Sequence, residues 1–263
     1  MPTKVVDQSE TLRELKKRFK ERMPTPLAIA KPAWDECIQG KERLWIKQNA
    51  SALITCAFDR TYALFLEKQS KAGIDTLKDV FSESFDSTTN SISQLFENHF
   101  NDLDKFFLGL AQSRKARAGR SLEFFIEWLL DELQYPFTPQ PENMPGNPDF
   151  VFPSEDAYEE HGLECIVLTA KTKVRERWKQ VPSERTKGLR LYLAVNTNEI
   201  SENQLREMRK EHLTIVAPKH LTETMSAYKS ATNVISYEDF FEYQLDPHLK
   251  NWKRLGIMTQ LSL

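Results

Sequence analysis

The sequence predicts an α/β protein with a helical N-terminal region, and two patterns support this prediction. Through residues 1–112 apolar side chains recur every three or four positions, which is typical of amphipathic helices. After Gln134 short apolar runs alternate with helical stretches, which favours strands joined by helices. We therefore expect a helical region over residues 1–112 and an α/β domain over residues 113–263.

The overall charge is close to neutral. The chain has 36 basic and 38 acidic residues, for a net charge of −2, so any contact with nucleic acid must use local clusters of basic residues. No apolar stretch is long enough to span a membrane and the N-terminus has no signal-peptide core, so we expect a cytoplasmic protein. Neither zinc spacing among the histidines nor a glycine-rich phosphate loop is present, which argues against zinc and a nucleotide cofactor.

The three cysteines are far apart in the sequence. Cys37, Cys56 and Cys165 have no metal-ligand spacing, and each lies in an apolar context. We therefore predict buried, reduced thiols, as expected of a cytosolic protein.

Two features indicate where the first helices begin. Ser9 can cap a helix that carries Leu12, Leu15 and Phe19 on one face. Pro32 is predicted to start a second helix, because proline is tolerated in the first turn.

A basic run precedes the strongly apolar segment SLEFFIEWLLDEL, for which Ser121 is the predicted N-cap. Glu123 then falls in the first turn, where it could simply complement the helix dipole. Alternatively, Glu123 could face a metal ion while the basic side chains face phosphates. The basic residues of the run are Arg114, Lys115, Arg117 and Arg120.

Five clustered prolines between residues 136 and 148 mark an irregular connection, and predicted strands follow it. Ser201 and Gln204 form a capping box, which predicts a helix between the third and fourth of these strands. The predicted strands are Phe150–Phe152, Glu164–Thr172, Leu189–Val195, Leu213–Ala217 and Val234–Ile235.

Two acids and a lysine lie at suggestive positions around the second of these strands. Asp149 follows Pro148 at a strand start, Lys171 lies near a strand end, and Glu184 comes thirteen residues later. Carboxylates that hold Mg²⁺, with a lysine beside them, are what phosphodiester cleavage requires. The carbonyl of Ala170 would be a neutral metal ligand close by. Spacing alone is also compatible with ordinary surface ion pairs.

An Arg-Glu-Arg cluster lies between Lys171 and Glu184. Arginine can donate two hydrogen bonds to guanine, and glutamate can accept one from cytosine, so Arg175, Glu176 and Arg177 could read G·C pairs. Local ion pairs on a helix are the alternative. Residues 171–179 carry five basic residues and one acid in a nearly neutral chain, which favours the DNA-reading interpretation.

This combination resembles the type II restriction endonucleases with a PD-(D/E)XK nuclease fold, in the branch that contains EcoRII, PspGI, SsoII and NgoMIV. In that branch the acid two positions before the lysine is replaced by a glutamate further along the chain. Here that position is Thr169, and Glu184 matches the displaced acid. The resemblance covers residues 113–187 and includes Glu123 as a further acid near the metal.

The resemblance implies a mixed β-sheet flanked by helices, with Asp149, Glu184 and Glu123 around Mg²⁺ and Lys171 as the catalytic lysine. Arg175, Glu176 and Arg177 would read a CC/GG core, as in enzymes that cut CCGG or CCNGG, and BsaWI-like enzymes are similar. Contacts with the DNA backbone are assigned to Lys173 and the basic run. A palindromic site implies a homodimer or a tetramer, with residues 1–112 serving dimerisation or DNA contact.

Two other functions are compatible with these residues. The first is a structure-specific or repair nuclease of the same fold, which would cut plasmid DNA without producing discrete bands. The second is a non-catalytic DNA-binding or interaction protein in which the acids form salt bridges, and it would show no Mg²⁺-dependent nicking.

Overall fold

The structure is a computed structural model that describes residues 9–82, 88–172, 174, 190–197 and 199–258, with the backbone alone for 88–93 and 114–120. Its chain divides into two compact units. One contains Met1–Ala33 and Arg60–Ala118, and the other contains Trp34–Asp59 and Gly119–Leu263.

Among the described residues, five helices precede the sheet. Ser9 caps α1 by accepting a hydrogen bond from Leu12 N at 3.1 Å, which confirms the predicted cap. The prediction for Pro32 is wrong, because the second helix begins at Pro26 and Pro32 lies inside it. The helices are α1 (Glu10–Arg22), α2 (Pro26–Ile38), α3 (Arg43–Gln48), α4 (Ala50–Val80) and α5 (Thr88–Glu132).

Helices also separate and follow the strands. The capping box of Ser201 and Gln204 is present at the start of α7, as predicted. The C-terminal helix is continuous from Tyr237 and contains a π-helical segment at Phe240–Leu245. The remaining helices are α6 (Glu155–His161), α7 (Glu202–Lys210), α8 (Lys219–Thr224), α9 (Ser226–Ser230), α10 (Tyr237–Asp239) and α11 (Asp246–Leu255).

A six-stranded mixed sheet forms the centre of the second unit. The strands follow one another across the sheet in chain order; the first three are antiparallel neighbours, and the third to the sixth run parallel. All five predicted strands are present. Two of them, Phe150–Phe152 and Leu213–Ala217, have the predicted ends, and the other three differ slightly at their ends; a two-residue strand precedes all five. The strands are β1 (Thr138–Pro139), β2 (Phe150–Phe152), β3 (Ile166–Ala170), β4 (Arg190–Ala194), β5 (Leu213–Ala217) and β6 (Val234–Ser236).

Both faces of the sheet are buried. On one face, Val167, Leu193 and Ile215 share a core with Leu205 and Met208 of α7. On the other face, the ring of Phe240 packs against Phe152 and Tyr192, at centroid distances of 6.3 and 4.9 Å. Continuous apolar strands are the expected result of burial on two faces.

Residues 34–59 pack with the sheet unit, although the sequence groups them with the N-terminal region. Trp34 stacks on Phe125 at 6.1 Å between ring centroids. Ser51 donates from its backbone N and its Oγ to the Glu238 carboxylate at 2.8 and 2.6 Å, and its Oγ accepts from Lys219 N at 2.9 Å. These contacts join the start of α4 to the start of α8 and to α10.

The expectation of three buried, reduced thiols is wrong for two of the cysteines. Cys37 of α2 and Cys56 of α4 form a disulfide, with their Cα atoms 6.3 Å apart. Cys37 is half-buried and Cys56 exposed. Only a fold that brings α2 beside α4 pairs residues separated by 19 positions, and spacing gives no sign of this. Cys165 is a free thiol and fully buried, as predicted, and burial raises its pKa to about 12.

Within the described ranges, no helix combines the length and the apolar character needed to cross a bilayer.

His248 lies in the C-terminal helix, and its surroundings lower its pKa. Nδ1 of His248 contacts the Gln244 carbonyl at 2.6 Å, and its Nε2 contacts Nη1 of Arg190. Its ring also packs on Trp252, with centroids 5.7 Å apart. Burial, reinforced by the Arg190 charge, lowers the pKa of His248. The neutral imidazole is therefore the form that this site favours.

Replacing His248 by asparagine should flatten the pH dependence of stability. In the unfolded chain the imidazole binds a proton near pH 6.5, whereas the folded site binds it only at lower pH. The wild-type contribution is therefore full above about pH 6.5 and falls as the pH drops toward the folded pKa. Urea unfolding between about pH 5 and pH 7 measures this dependence. His220→Asn on the exposed surface of α8 is the control, and equal slopes for the wild type and the His248 variant would contradict the prediction.

Candidate active site

The sheet places the predicted acid and lysine at one edge. Because β2 is antiparallel to β3, the start of β2 lies beside the carboxyl end of β3, with Phe150 opposite Leu168. Asp149 immediately precedes β2, and Lys171 immediately follows β3. The parallel strands β4 and β5 end at the same edge. This carboxyl edge is where ligands bind in open α/β sheets.

Asp149 and Lys171 are in direct contact. Nζ of Lys171 donates to Oδ2 of Asp149 at 3.0 Å, and the backbone N–H of Ala170 donates to the same oxygen at 2.7 Å. The Asp149 side chain is only 13% exposed and that of Lys171 is 30% exposed, so solvent screens the pair less than a surface ion pair. Two donors on one oxygen fix the orientation of the carboxylate.

The backbone around the pair is also fixed. Lys171 N donates to the Ala194 carbonyl at 2.9 Å, which extends the pairing of β3 with β4 past the end of the strand. On the other side, Gln140 N donates to the Asp149 carbonyl at 2.8 Å, beside the short pairing of β1 with β2. Neighbours on both sides therefore hold the backbone of the acid and of the lysine.

A turn at Gly146 and Asn147 leads directly into Pro148 and Asp149, and it was not predicted from the sequence. Both have positive φ, +82° and +46°, and Asn147 N reaches the Met144 carbonyl at 3.4 Å. Glycine and asparagine tolerate the left-handed region that this turn requires. The pair Gly-Asn directly before Pro148-Asp149 is the sequence signal that could have indicated the turn.

Glu123 lies on a continuous helix, and the prediction of an N-cap at Ser121 is wrong. α5 runs unbroken from Thr88 to Glu132, so Ser121 is a buried position in its interior. The preceding run is rich in alanine, lysine and arginine, which are strong helix formers and continue the helix through residues 114–120. Glu123 is half-buried.

Much of the predicted site lies outside the described residues. These residues are Lys173, Arg175, Glu176, Arg177 and Glu184, and the side chains of Arg114, Lys115, Arg117 and Arg120 are likewise outside the description. Over the described part of the chain, no three acidic, histidine or cysteine side chains come close enough to hold a metal ion. The structure therefore unites Asp149, Ala170 and Lys171 and leaves the remaining assignments as predictions.

The mixed sheet and its flanking helices have the fold of the PD-(D/E)XK restriction-endonuclease-like proteins, as predicted. The family model described as "EcoRII C terminal" matches residues 83–241. The chain therefore belongs to the EcoRII C-terminal family, within the branch expected from its motifs.

Two curated restriction enzymes share sequence with this chain. It is 34% identical over 141 residues to the type II restriction enzyme EcoRII of Escherichia coli, covering 49% of this chain and 34% of that enzyme. It is 27% identical over 162 residues to the type II restriction enzyme SsoII of Shigella sonnei, covering 57% of this chain and 52% of that enzyme. The chain thus spans about a third of one of these enzymes and half of the other.

Solved structures support the same fold. Metal-depleted Ecl18kI in complex with uncleaved, modified DNA superposes with a TM-score of 0.78 at 21% identity, covering 96% of this chain and 87% of Ecl18kI. The complex of restriction endonuclease PspGI with substrate DNA gives a TM-score of 0.65 at 14% identity, covering 90% of this chain and 97% of PspGI. At these identities the similarity establishes the fold alone.

Two substitutions at Asp149 should differ in their effect on stability. Asp149→Ala removes the acceptor of the Ala170 N–H, which is nearly buried, and should lower the free energy of unfolding by roughly 1–3 kcal/mol. Asp149→Asn keeps an acceptor oxygen and should lower it by less. Urea unfolding without divalent ions measures both values. A larger loss for asparagine than for alanine would show that this hydrogen bond does not anchor the carboxylate.

Proposed function

We propose that the chain is a type II site-specific deoxyribonuclease that makes Mg²⁺-dependent double-strand breaks in DNA. The observation that carries the proposal is the contact between Asp149 and Lys171 at the carboxyl end of β3. It occurs in a chain of the EcoRII C-terminal family, at the two positions that the nuclease motif requires.

The proposed metal ligands are oxygen atoms, which Mg²⁺ prefers. They are the carboxylates of Asp149, Glu184 and Glu123 and the carbonyl of Ala170. Both described donors to Asp149 contact Oδ2, so Oδ1 is the oxygen assigned to the metal. When bound, Mg²⁺ neutralises phosphate charge and helps to activate water.

Lys171 is assigned to the scissile phosphate and the attacking water. Its ammonium group lies 3.0 Å from Asp149 Oδ2, so a water or a phosphate oxygen beside the carboxylate is within reach of its donors. A fixed positive charge at this position stabilises the charge that develops as the phosphodiester bond breaks. Asp149 in turn holds the flexible lysine in place.

The Arg175, Glu176 and Arg177 cluster is proposed to read a palindromic site with a CC/GG core. CCGG with flanking pairs is the preferred form, and CCNGG is the alternative. Arg114, Lys115, Arg117, Arg120 and Lys173 are assigned to phosphates. Because Arg175–Arg177 lies between Lys171 and Glu184 in the chain, reading and cutting would share one segment.

A palindromic site asks for two-fold related subunits, so the proposed active form is a homodimer, or a tetramer of two dimers. Its products would carry 5′-phosphate ends, and the proposed location is the cytoplasm. Residues 1–112 are proposed to serve dimerisation or DNA contact, and residues 113–263 to cut and to recognise DNA.

The first test removes the two groups that the structure places in contact. Asp149→Ala and Lys171→Ala should each reduce cleavage of a sequenced plasmid by at least about a thousandfold, because each removes a charge that acts on the transition state. Both variants should still bind DNA. Gel analysis measures cleavage, end sequencing locates the cut, and ligation without kinase treatment reports the 5′-phosphates.

Lys210→Ala is the matched control, because Lys210 is an exposed lysine on α7. It should cut like the wild type. A Lys171 variant that cuts at the wild-type rate would overturn the assignment. A wild-type smear in place of discrete bands would favour a structure-specific or repair nuclease. DNA binding without any Mg²⁺-dependent nicking would indicate a non-catalytic protein.

The second test concerns recognition. Arg177→Ala should weaken binding to the specific duplex by about 1–3 kcal/mol, because it removes a bidentate contact with guanine, and should leave non-specific binding nearly unchanged. Fluorescence anisotropy on duplexes with and without the CC/GG core measures both affinities. Arg209→Ala on α7 is the control. Unchanged specific affinity in Arg177→Ala would remove this residue from the readout.

A further inference from the structure

The outer face of α1 carries a stripe of basic side chains. Over Glu10–Arg22 the helix has six basic and three acidic residues, although the whole chain has a net charge of −2. Four of the basic residues are exposed, and at 100° per residue they fall within an arc of about 100°. These four residues, the α1 stripe, are Arg13, Lys16, Lys17 and Lys20.

The other two basic residues of α1, Arg18 and Arg22, form salt bridges with acids. Arg18 forms a salt bridge with Glu14 at 2.6 Å, and Arg22 pairs with Asp79 of α4. Both side chains are about one third exposed, at 37% and 30%. Arg22 thus helps to hold α1 against α4, while the α1 stripe projects from a different side of the helix.

The acids of α1 are segregated from the stripe. On the helical wheel Glu10, Glu14 and Glu21 lie together in a neighbouring sector, so no acid falls within the arc of the stripe. The inner side, which adjoins the stripe at Lys16, carries Leu12 and Leu15, and both are fully buried in the core of this unit. α1 therefore presents a basic surface that three acids border on one side, and it is anchored by its apolar side.

We propose that the α1 stripe binds the phosphate backbone of double-stranded DNA and does not read its sequence. This inference rests on the proposed function, which makes DNA the substrate. The stripe belongs to a different compact unit from Asp149 and Lys171, so it adds a second contact surface to the one assigned to the nuclease motif.

The dimensions and the residue types both fit phosphates. Arg13 and Lys20 are seven residues apart, or about 10 Å along a helix. One strand of B-DNA presents a phosphate about every 3.4 Å along its axis, so the stripe matches roughly three phosphates. Three of the four residues are lysines, which act as point charges and lack the planar fork with which arginine reads guanine. The stripe should thus add affinity without specificity.

Salt dependence of DNA binding provides the test. Each phosphate contact contributes about 0.9 to the slope of log K against log [salt]. The variant Lys17→Gln/Lys20→Gln should therefore reduce this slope by about 2 per protomer. Its affinity should fall by a similar factor for duplexes with and without a CC/GG core. Anisotropy titrations over a KCl series, with Ca²⁺ in place of Mg²⁺ to prevent cleavage, measure these quantities on the full chain.

Two further variants sharpen the result. Lys71→Gln/Lys78→Gln changes the same charge at two exposed lysines of α4 in the same unit, and it should leave the slope unchanged. Lys17→Arg/Lys20→Arg keeps the charge and should retain the wild-type slope. Equal losses in the α1 and α4 variants would show a bulk charge effect and overturn the proposal.

The remaining outcomes of the titrations also test whether the α1 stripe contacts DNA phosphates. A loss confined to the duplex with the CC/GG core would show base readout, and an unchanged slope would show no contact; both overturn the role of the stripe. If the wild type cuts and binds DNA while the slope is unchanged, this inference fails and the proposed function stands. If the wild type binds neither duplex, both fail.

Discussion

The oxygen Oδ2 of Asp149 is the point on which the site depends. It accepts from the Ala170 N–H and from Lys171 Nζ, so one atom ties the start of β2 to the end of β3. These two hydrogen bonds form because β2 runs antiparallel to β3, which places the start of β2 beside the end of β3. By contrast, β4 and β5 run parallel to β3. The change of strand direction beside β3 thus brings a residue from the start of one strand to the carboxyl ends of the others.

The sequence indicated much of this arrangement because its signals were local. β5 has the predicted bounds, and the capping box of α7 involves the two predicted residues. β1 was missed because a two-residue strand has no periodicity. Pro32 misled because proline is a signal for helix starts, although Pro26 already occupies that position. The disulfide depends on the packing of two helices, about which residue spacing contains no information.

Only part of the active site could likewise be predicted from the sequence. The contact between Asp149 and Lys171 follows from motif spacing combined with strand direction. The left-handed turn at Gly146 and Asn147 could have been found from the residue types alone. The donor from Ala170 could not, because every residue of a strand except proline has a backbone N–H and only the register selects one. Glu184 and Arg175–Arg177 remain predictions.

The continuity of α5 changes the electrostatic account of Glu123. A carboxylate near the N-terminus of a helix is stabilised by the free N–H groups of the first turn, an effect confined to that turn. α5 begins at Thr88, about ten turns before Glu123, so those groups are already hydrogen-bonded within the helix. Glu123 is therefore not stabilised by the free N–H groups of a helix N-terminus. Stabilisation by the helix dipole therefore does not explain why an acid occupies position 123.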